Sequence, residues 1–163
     1  MTTLTEIFKE IGHFGNDIGC NDKGGTHSYL ETYEKLFDPF RHGCSMMEIG
    51  LALGDSVKLW DKYFEKSFIT GVDISIVFET VDMETRITEN KNWIDFIEAD
   101  ATKEEFARVF RSGTFDIVID DGSHMEADQI KTFQLLKSKM KPGGIYVIED
   151  ILALDRNRHK FEA

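Results

Sequence analysis

Short apolar runs alternate with segments of helical periodicity from residue 45 onward, and this alternation constrains the fold more than any other feature. The apolar runs predict strands at 45–50, 68–74, 93–100, 115–121 and 144–150. Helical spacing predicts helices at 56–64, 103–110 and 125–140, whereas the polar stretch 75–92 fits a helix or a long loop. Strands that alternate with helices form βαβ units and a mostly parallel sheet. The sequence therefore predicts an α/β fold with a doubly wound, mostly parallel open sheet.

Residues 1–44 precede this alternation and are predicted to form a helical segment with a covering loop, joined in one domain to a core at 45–163. A weak helical pattern occupies 4–11, and 29–37 places its apolar residues on one helical face. Between them, 12–28 is rich in Gly, Asn and Asp, which predicts a loop.

The charge balance argues against several classes of partner. The 30 acidic and 19 basic residues give a formal net charge of −11, which disfavours nucleic acid or an anionic membrane surface as the main partner. Cys20 and Cys44 form no CxxC pair, so neither a zinc site nor a disulfide framework is expected, and a cytoplasmic setting fits best. No signal peptide and no membrane span are predicted.

Acidic residues end four of the five predicted strands. They are Asp73, Asp100, Asp120 with Asp121, and Glu149 with Asp150. In open α/β sheets, ligands bind outside the carboxyl ends of the strands, near the point where the strand order reverses. The sequence therefore predicts the functional site at this edge of the sheet.

The turn after the first strand carries the pattern Glu48-x-Gly50-x-x-x-Gly54. Gly50 allows a tight turn and a close approach of the backbone to a ligand, and Gly54 opens a helix whose N-terminal amides favour a negative group. The alternative is an ordinary strand-to-helix turn. The pattern is not the dinucleotide form G-x-G-x-x-G, and Leu51 and Ala52 would crowd a pyrophosphate.

Asp73 and Asp100 end the next two strands. An acidic residue at the position of Asp73 hydrogen-bonds a ribose diol in nucleotide-binding folds, although it can also cap the following helix. Asp100 offers an acceptor near the expected position of an adenine amino group. Its alternative role is the N-cap of the helix at 103–110, with Thr102 as competitor.

The stretch FDIVIDDGSHMEADQI ends the fourth strand, beside the end of the fifth. Asp121, Glu149 and Asp150 are expected to meet there as hard oxygen ligands for Mg²⁺ or another divalent cation. His124 is a candidate general base, and Asp120 is assigned a structural role. The alternative is that Ser123 or Asp121 caps the next helix. However, clustered carboxylates repel one another without a cation, which favours a site.

With these motifs, the chain resembles the class I S-adenosylmethionine-dependent methyltransferases over residues 45–150. The resemblance implies a Rossmann-like core with strand order 3-2-1-4-5, in which Asp73 holds the ribose and Asp100 and Ala101 flank the adenine. The residues that it assigns to the cofactor site are Glu48, Gly50, Gly54, Asp73, Asp100 and Ala101.

A narrower resemblance rests on the segments DKGGTHSY, DDGSH and YVIED, which occur in that order within residues 21–151. They are similar to the metal-dependent sugar O-methyltransferases of macrolide and related antibiotic biosynthesis, and to the cephalosporin-hydroxylase-like group. The resemblance implies that His124 is the base and that His27 and Tyr29 cover the cofactor site. Alternatively, His27 and Tyr29 pack the N-terminal helix on the sheet. The implied Mg²⁺ ligands are Asp121, Glu149 and Asp150.

Only ILALDRNRHKFEA follows Asp150, which is too short for the sixth and seventh strands of this superfamily. We therefore expect a compact or truncated form, or a second subunit that covers the fifth strand as in a homodimer. The first functional hypothesis is an S-adenosylmethionine-dependent O-methyltransferase that acts on a sugar-like or other small-molecule hydroxyl. The alternatives are a cofactor-binding module without its own activity, and another nucleotide-cofactor enzyme such as a nicotinamide oxidoreductase.

Overall fold

The computed structural model describes residues 2–11, 23, 29–76 and 87–152. They contain a parallel sheet of five strands in the order β3-β2-β1-β4-β5, as predicted. The strands are β1 (Ser45–Ile49), β2 (Phe68–Asp73), β3 (Trp93–Glu98), β4 (Phe115–Asp120) and β5 (Met140–Ile148). The order reverses between β1 and β4, so the predicted switch point lies at their carboxyl ends.

Helices cover both faces of this sheet. They are α1 (Leu4–Ile11), α2 (Leu30–Phe37), α3 (Asp55–Tyr63), α4 (Glu104–Arg108) and α5 (Glu126–Leu136). The first three belong to one apolar cluster that includes Trp60 and Ile117, and the last two belong to a second cluster that includes Val118 and Leu136. Because Ile117 and Val118 are neighbours in β4, alternate side chains of one buried strand serve the two cores.

The Lys-Pro-Gly-Gly segment 141–144 lies between the predicted helix and the predicted fifth strand and is typical of a turn, but a turn prediction for it is wrong. Strand β5 runs through this segment, and its pairing with β4 shifts between Phe115, which faces Met140, and Ile117, which faces Ile145. Such an irregularity accommodates Pro142, because β5 is an edge strand of the described sheet and a proline there removes no ladder bond. The helix before it is also shorter than predicted, ending at Leu136 in a 3₁₀ turn.

The register of the sheet aligns the acidic strand ends. Ile49 lies opposite both Val72 and Asp120, and Asp120 lies opposite Ile148. The residues that follow these positions therefore emerge side by side at one edge. In the segments that the structure describes, we find no helix with the length and apolar character needed to cross a membrane.

Cys44 is buried before β1, where its Sγ lies 3.5 Å from Ser67 Oγ. Burial raises the pKa of its thiol to about 11. Since the thiolate is the reactive form, we expect the folded Cys20→Ser variant not to react with Ellman's reagent at about pH 8, and to react once denatured. Rapid reaction of the folded variant would contradict this burial.

Candidate functional site

Two left-handed glycines shape the loop between β1 and α3. Gly50 has φ +86°, and its N–H donates a hydrogen bond to Val72 O at 2.8 Å. A Cβ atom on Gly50 would lie 2.0 Å from the backbone oxygen of Asp121, so no side chain fits between the two chain ends. Gly54, with φ +78°, is the N-cap of α3. The loop therefore brings the ends of β1 and β4 into direct backbone contact.

Two cavities open at the carboxyl ends of the strands. The glycine-loop cavity has a volume of about 390 Å³ and extends from the β1–α3 loop to His124. The β2–β3 cavity has a volume of about 420 Å³ and extends to Asp100 and Ala101. Both cavities are lined by Gly50, Asp73 and Gly122. Together they form an elongated groove that crosses the switch point of the sheet.

The two predicted ribose and adenine carboxylates lie in this groove. Asp73 accepts hydrogen bonds from the N–H groups of Leu51 at 2.7 Å and Ser75 at 3.1 Å, which fix its rotamer. Asp100 accepts two hydrogen bonds from Thr102, and these hold the pKa of its carboxyl below the usual value. Because α4 has no side-chain cap, Asp100 closes a turn ahead of that helix and does not cap it.

Glu48 lies under the loop and is fully buried. Its Oε2 accepts hydrogen bonds from Ser56 Oγ at 2.7 Å and Trp60 Nε1 at 3.0 Å, and its Oε1 lies 3.4 Å from Lys23 Nζ. Burial raises the pKa of the Glu48 carboxyl, although Lys23 and the Ser56 hydroxyl oppose the shift. Ser56 lines the glycine-loop cavity, so Glu48 is linked to that cavity through the Ser56 hydroxyl.

Among the described residues, one group has the composition and spacing to hold a metal ion, namely Asp121, His124 and Asp150. Their potential ligand atoms all lie within 4.8 Å of one another. His124 Nε2 is 3.1 Å from Asp121 Oδ1, and His124 Nδ1 is 3.9 Å from Asp150 Oδ2. His124 and Asp150 have left-handed backbones, with φ of +55° and +51°. Aspartate and histidine adopt this conformation more readily than most residues with side chains.

Glu149, the third predicted metal ligand, has a buried side chain directed at other partners. Its Oε1 accepts hydrogen bonds from Lys23 Nζ at 2.7 Å and from the Tyr33 hydroxyl. Burial raises the pKa of the Glu149 carboxyl to about 7, although Lys23 opposes the shift. The structure thus brings Asp121 and Asp150 to His124, and it brings Glu149 to Lys23.

Sequence reasoning missed Lys23. Its side chain is 2% exposed, and its Nζ lies 2.7 Å from both Asp121 Oδ2 and Glu149 Oε1. Burial lowers the pKa of the Lys23 amine, but the surrounding carboxylates outweigh burial and raise it above the ordinary value. The signal in the sequence is the clustering of carboxylates, which need a cation beside them, and from it we predicted only a metal ion. The ammonium of Lys23 supplies part of that charge.

Asp120 is separated from this cluster. It is buried, and its oxygens accept hydrogen bonds from the Tyr146 hydroxyl at 3.3 Å and the Gly122 N–H at 3.4 Å. Burial raises the pKa of its carboxyl to about 6. These contacts tie β4 to β5 and to the following turn, whereas Asp121 faces Lys23 and His124.

An apolar cavity of about 670 Å³ lies between α2 and the end of β5. The apolar side chains of its lining include Leu36, Val147, Ile148, Ile151 and Leu152. Its polar rim contains His124 and Asp150, and the Tyr29 hydroxyl donates a hydrogen bond to Asp150 Oδ1 at 3.0 Å. His27, the other predicted covering residue, lies outside the described residues.

Comparison with known proteins shows that this chain is similar to methyltransferases. The model of a family described as a methyltransferase domain matches residues 40–151. The 8-demethyl-8-alpha-L-rhamnosyl tetracenomycin-C 2'-O-methyltransferase of Streptomyces olivaceus is 35% identical over 141 residues, which are 80% of this chain and 35% of that protein. Mycinamicin VI 2''-O-methyltransferase of Micromonospora griseorubida is 33% identical over 137 residues, which are 78% of this chain and 32% of that protein. The chain spans about one third of the length of these relatives.

A solved structure agrees with these matches. The MycE methyltransferase from the mycinamycin biosynthetic pathway, in complex with Mg, SAH and mycinamycin VI, has a TM-score of 0.68 and 30% sequence identity. The match covers 90% of this chain and 36% of that chain.

Proposed function

We propose that this chain, which belongs to the methyltransferase-domain family, forms the catalytic core of an S-adenosylmethionine-dependent O-methyltransferase acting on a hydroxyl of a sugar-like small molecule. One observation carries the proposal. His124 lines both the glycine-loop cavity and the apolar cavity, so a candidate base stands between a groove suited to a nucleoside and a pocket suited to an acceptor. The MycE structure, which is a complex with Mg, SAH and mycinamycin VI, supports the assignment of the two spaces.

The groove fits S-adenosylmethionine. Asp73 keeps acceptor capacity for a ribose diol, because each carboxylate oxygen has two lone pairs and each takes one backbone N–H. Asp100 and Ala101 would flank the adenine in the β2–β3 cavity. Gly50 would border the methionyl part in the glycine-loop cavity, and Gly54 would support it as the N-cap of α3. S-adenosylmethionine would supply the methyl group. Transfer to an oxygen then depends on the positioning of the hydroxyl by this chain.

The carboxylates beside His124 fit a divalent cation. Asp121 and Asp150 present hard oxygen atoms within the span of one ion, and we propose Glu149 as the third carboxylate of the site. A bound Mg²⁺ or similar cation would supply charge that favours the alkoxide form of the acceptor. The donor set consists of two or three carboxylates beside one imidazole. Because it contains no thiolate, it suits an ion that prefers oxygen ligands, such as Mg²⁺, better than zinc.

His124 is the proposed general base. Asp121 can only accept when ionised, so the neutral imidazole donates from Nε2 and carries its lone pair on Nδ1. Nδ1 lies toward Asp150, at the rim of the apolar cavity. We propose that Nδ1 takes the proton of an acceptor hydroxyl while Asp121 stabilises the resulting imidazolium. The apolar lining beyond it suits an acceptor that carries an apolar group next to its sugar.

Calorimetric titration with SAH, with and without Mg²⁺, tests the cofactor site. We expect wild-type protein to bind SAH, and Asp73→Ala to bind it about 10–100-fold more weakly because the lost hydrogen bonds involve a charged acceptor. Asp95→Ala is the matched control, since Asp95 is exposed on β3 away from the strand ends. Thermal unfolding of both variants separates lost binding from lost structure.

Two other outcomes would change the proposal. SAH binding without methyl transfer to any tested glycoside, and without dependence on Mg²⁺, would favour a cofactor-binding module. Saturable binding of NADH in place of SAH would favour a nicotinamide enzyme. The absence of the G-x-G-x-x-G pattern at Gly50 speaks against that second alternative.

A further inference from the structure

Three side chains that come before the sheet in sequence donate to all three proposed metal carboxylates. Lys23 donates to Asp121 and to Glu149 at 2.7 Å. The remaining donors are two hydroxyls of the α2 region, Tyr33 to Glu149 and Tyr29 to Asp150. A backbone hydrogen bond also links two of these residues, because the Tyr29 N–H donates to the carbonyl oxygen of Lys23 at 3.0 Å.

Asp121 and Asp150 use their two carboxylate oxygens in the same way: one oxygen accepts a hydrogen bond from a donor named above, and the other faces His124. Asp121 Oδ2 takes the Lys23 ammonium, and Asp121 Oδ1 faces His124 at 3.1 Å. Asp150 Oδ1 takes the Tyr29 hydroxyl, and Asp150 Oδ2 faces His124 at 3.9 Å. In each case the donor fixes one oxygen and orients the other toward the common centre.

Lys23 acts through these carboxylates and not on a ligand directly. An ammonium has three donor hydrogens, and three carboxylates surround Nζ at 2.7, 2.7 and 3.4 Å. Two of these contacts are hydrogen bonds at 2.7 Å and the side chain is 2% exposed, so its charge is directed at the carboxylates. Its charge also balances buried Glu48 and Glu149, which would otherwise repel Asp121.

We propose that Lys23, Tyr29 and Tyr33 are positioning residues that orient Asp121, Glu149 and Asp150 and thereby set the affinity of the site for a divalent cation. This inference rests on the proposed function, in which those carboxylates bind the cation. Outer partners of metal ligands orient them, and their loss typically lowers metal affinity about 10–100-fold. The covering role predicted for Tyr29 thus becomes a role at the metal carboxylates.

Titration of the whole chain with Mn²⁺, a spectroscopic substitute for Mg²⁺, tests this inference by electron paramagnetic resonance. We expect Tyr29→Phe and Tyr33→Phe to bind Mn²⁺ about 10–100-fold more weakly than wild type, with SAH affinity unchanged. Tyr63→Phe is the matched control. Tyr63 is also a buried tyrosine of the same core, and its hydroxyl has no hydrogen-bond partner among the described residues.

The outcomes separate this inference from the proposed function. Wild-type Mn²⁺ affinity in folded Tyr29→Phe and Tyr33→Phe would overturn the positioning role and leave the metal site standing. A wild-type protein that binds SAH but no Mn²⁺ would overturn the metal site and this inference together. Equal loss of Mn²⁺ and SAH affinity would indicate general damage and would also overturn it.

Discussion

The Gly50→Ala variant is expected to lose about 4 kcal/mol or more of its free energy of unfolding, and with it the binding of SAH. The added Cβ would meet Asp121 O at 2.0 Å and Gly122 Cα at 2.9 Å. Both are backbone atoms, so no rotamer change relieves the clash and the ends of β1 and β4 must separate. The left-handed φ of Gly50 adds about 1–2 kcal/mol of its own. Chemical denaturation and calorimetry with SAH measure the two losses.

Gly113→Ala is the matched control for this prediction. Gly113 is also left-handed, with φ +67°, but a Cβ there meets no atom within 4 Å. We therefore expect it to lose only the backbone contribution of about 1–2 kcal/mol and to bind SAH normally. Equal destabilisation of the two variants would mean that the close approach of Gly50 to Asp121 does not contribute to the free energy of unfolding.

The His124→Asn variant is expected to lower kcat for methyl transfer by about 10²–10⁴-fold, the usual contribution of a general base. Asparagine tolerates the left-handed backbone at this position, so the substitution removes the proton acceptor with little backbone cost. Binding of SAH should change little, because Asp73 and the β2–β3 cavity are untouched. Initial rates with S-adenosylmethionine, Mg²⁺ and the best glycoside acceptor of the wild-type protein provide the measurement.

His42→Asn serves as the control for His124→Asn. His42 lies just before β1, at the amino ends of the strands and away from the candidate site, where it pairs with exposed Glu65. Its replacement should leave kcat unchanged. If His124→Asn retained activity within about tenfold of wild type, the base would have to be another group, and the next candidate is Asp150, which also lines the apolar cavity.

The sheet and the location of the site could be predicted from the sequence because both depend on local patterns. Apolar runs mark the buried parallel strands, and the residue after each run must emerge at the carboxyl edge. The contact between Asp121 and His124 is likewise local, since the two residues are three positions apart. The order of the strands followed from the family resemblance and is confirmed.

The partners of the carboxylates could not be predicted in this way. A lysine in a glycine-rich loop is usually solvated, and only the folded sheet brings Lys23 to Glu149, 126 positions later. Adjacent residues at the end of a strand point to different sides, which separates Glu149 from Asp150. In the sequence alone, Glu149 and Asp150 are adjacent and look like one pair of ligands. The irregular pairing of β5 was hidden for a similar reason, because a Pro-Gly-Gly segment is typical of turns.

The left-handed backbones of His124 and Asp150 affect any directed evolution of this protein toward heat resistance. A glycine at either position would adopt this backbone at no steric cost. A selection for thermal survival alone would therefore enrich glycine at these two positions and discard the proposed base and cation ligand. Libraries that vary this edge of the sheet need a second selection for turnover, whereas libraries confined to the surfaces of α1 and α4 do not.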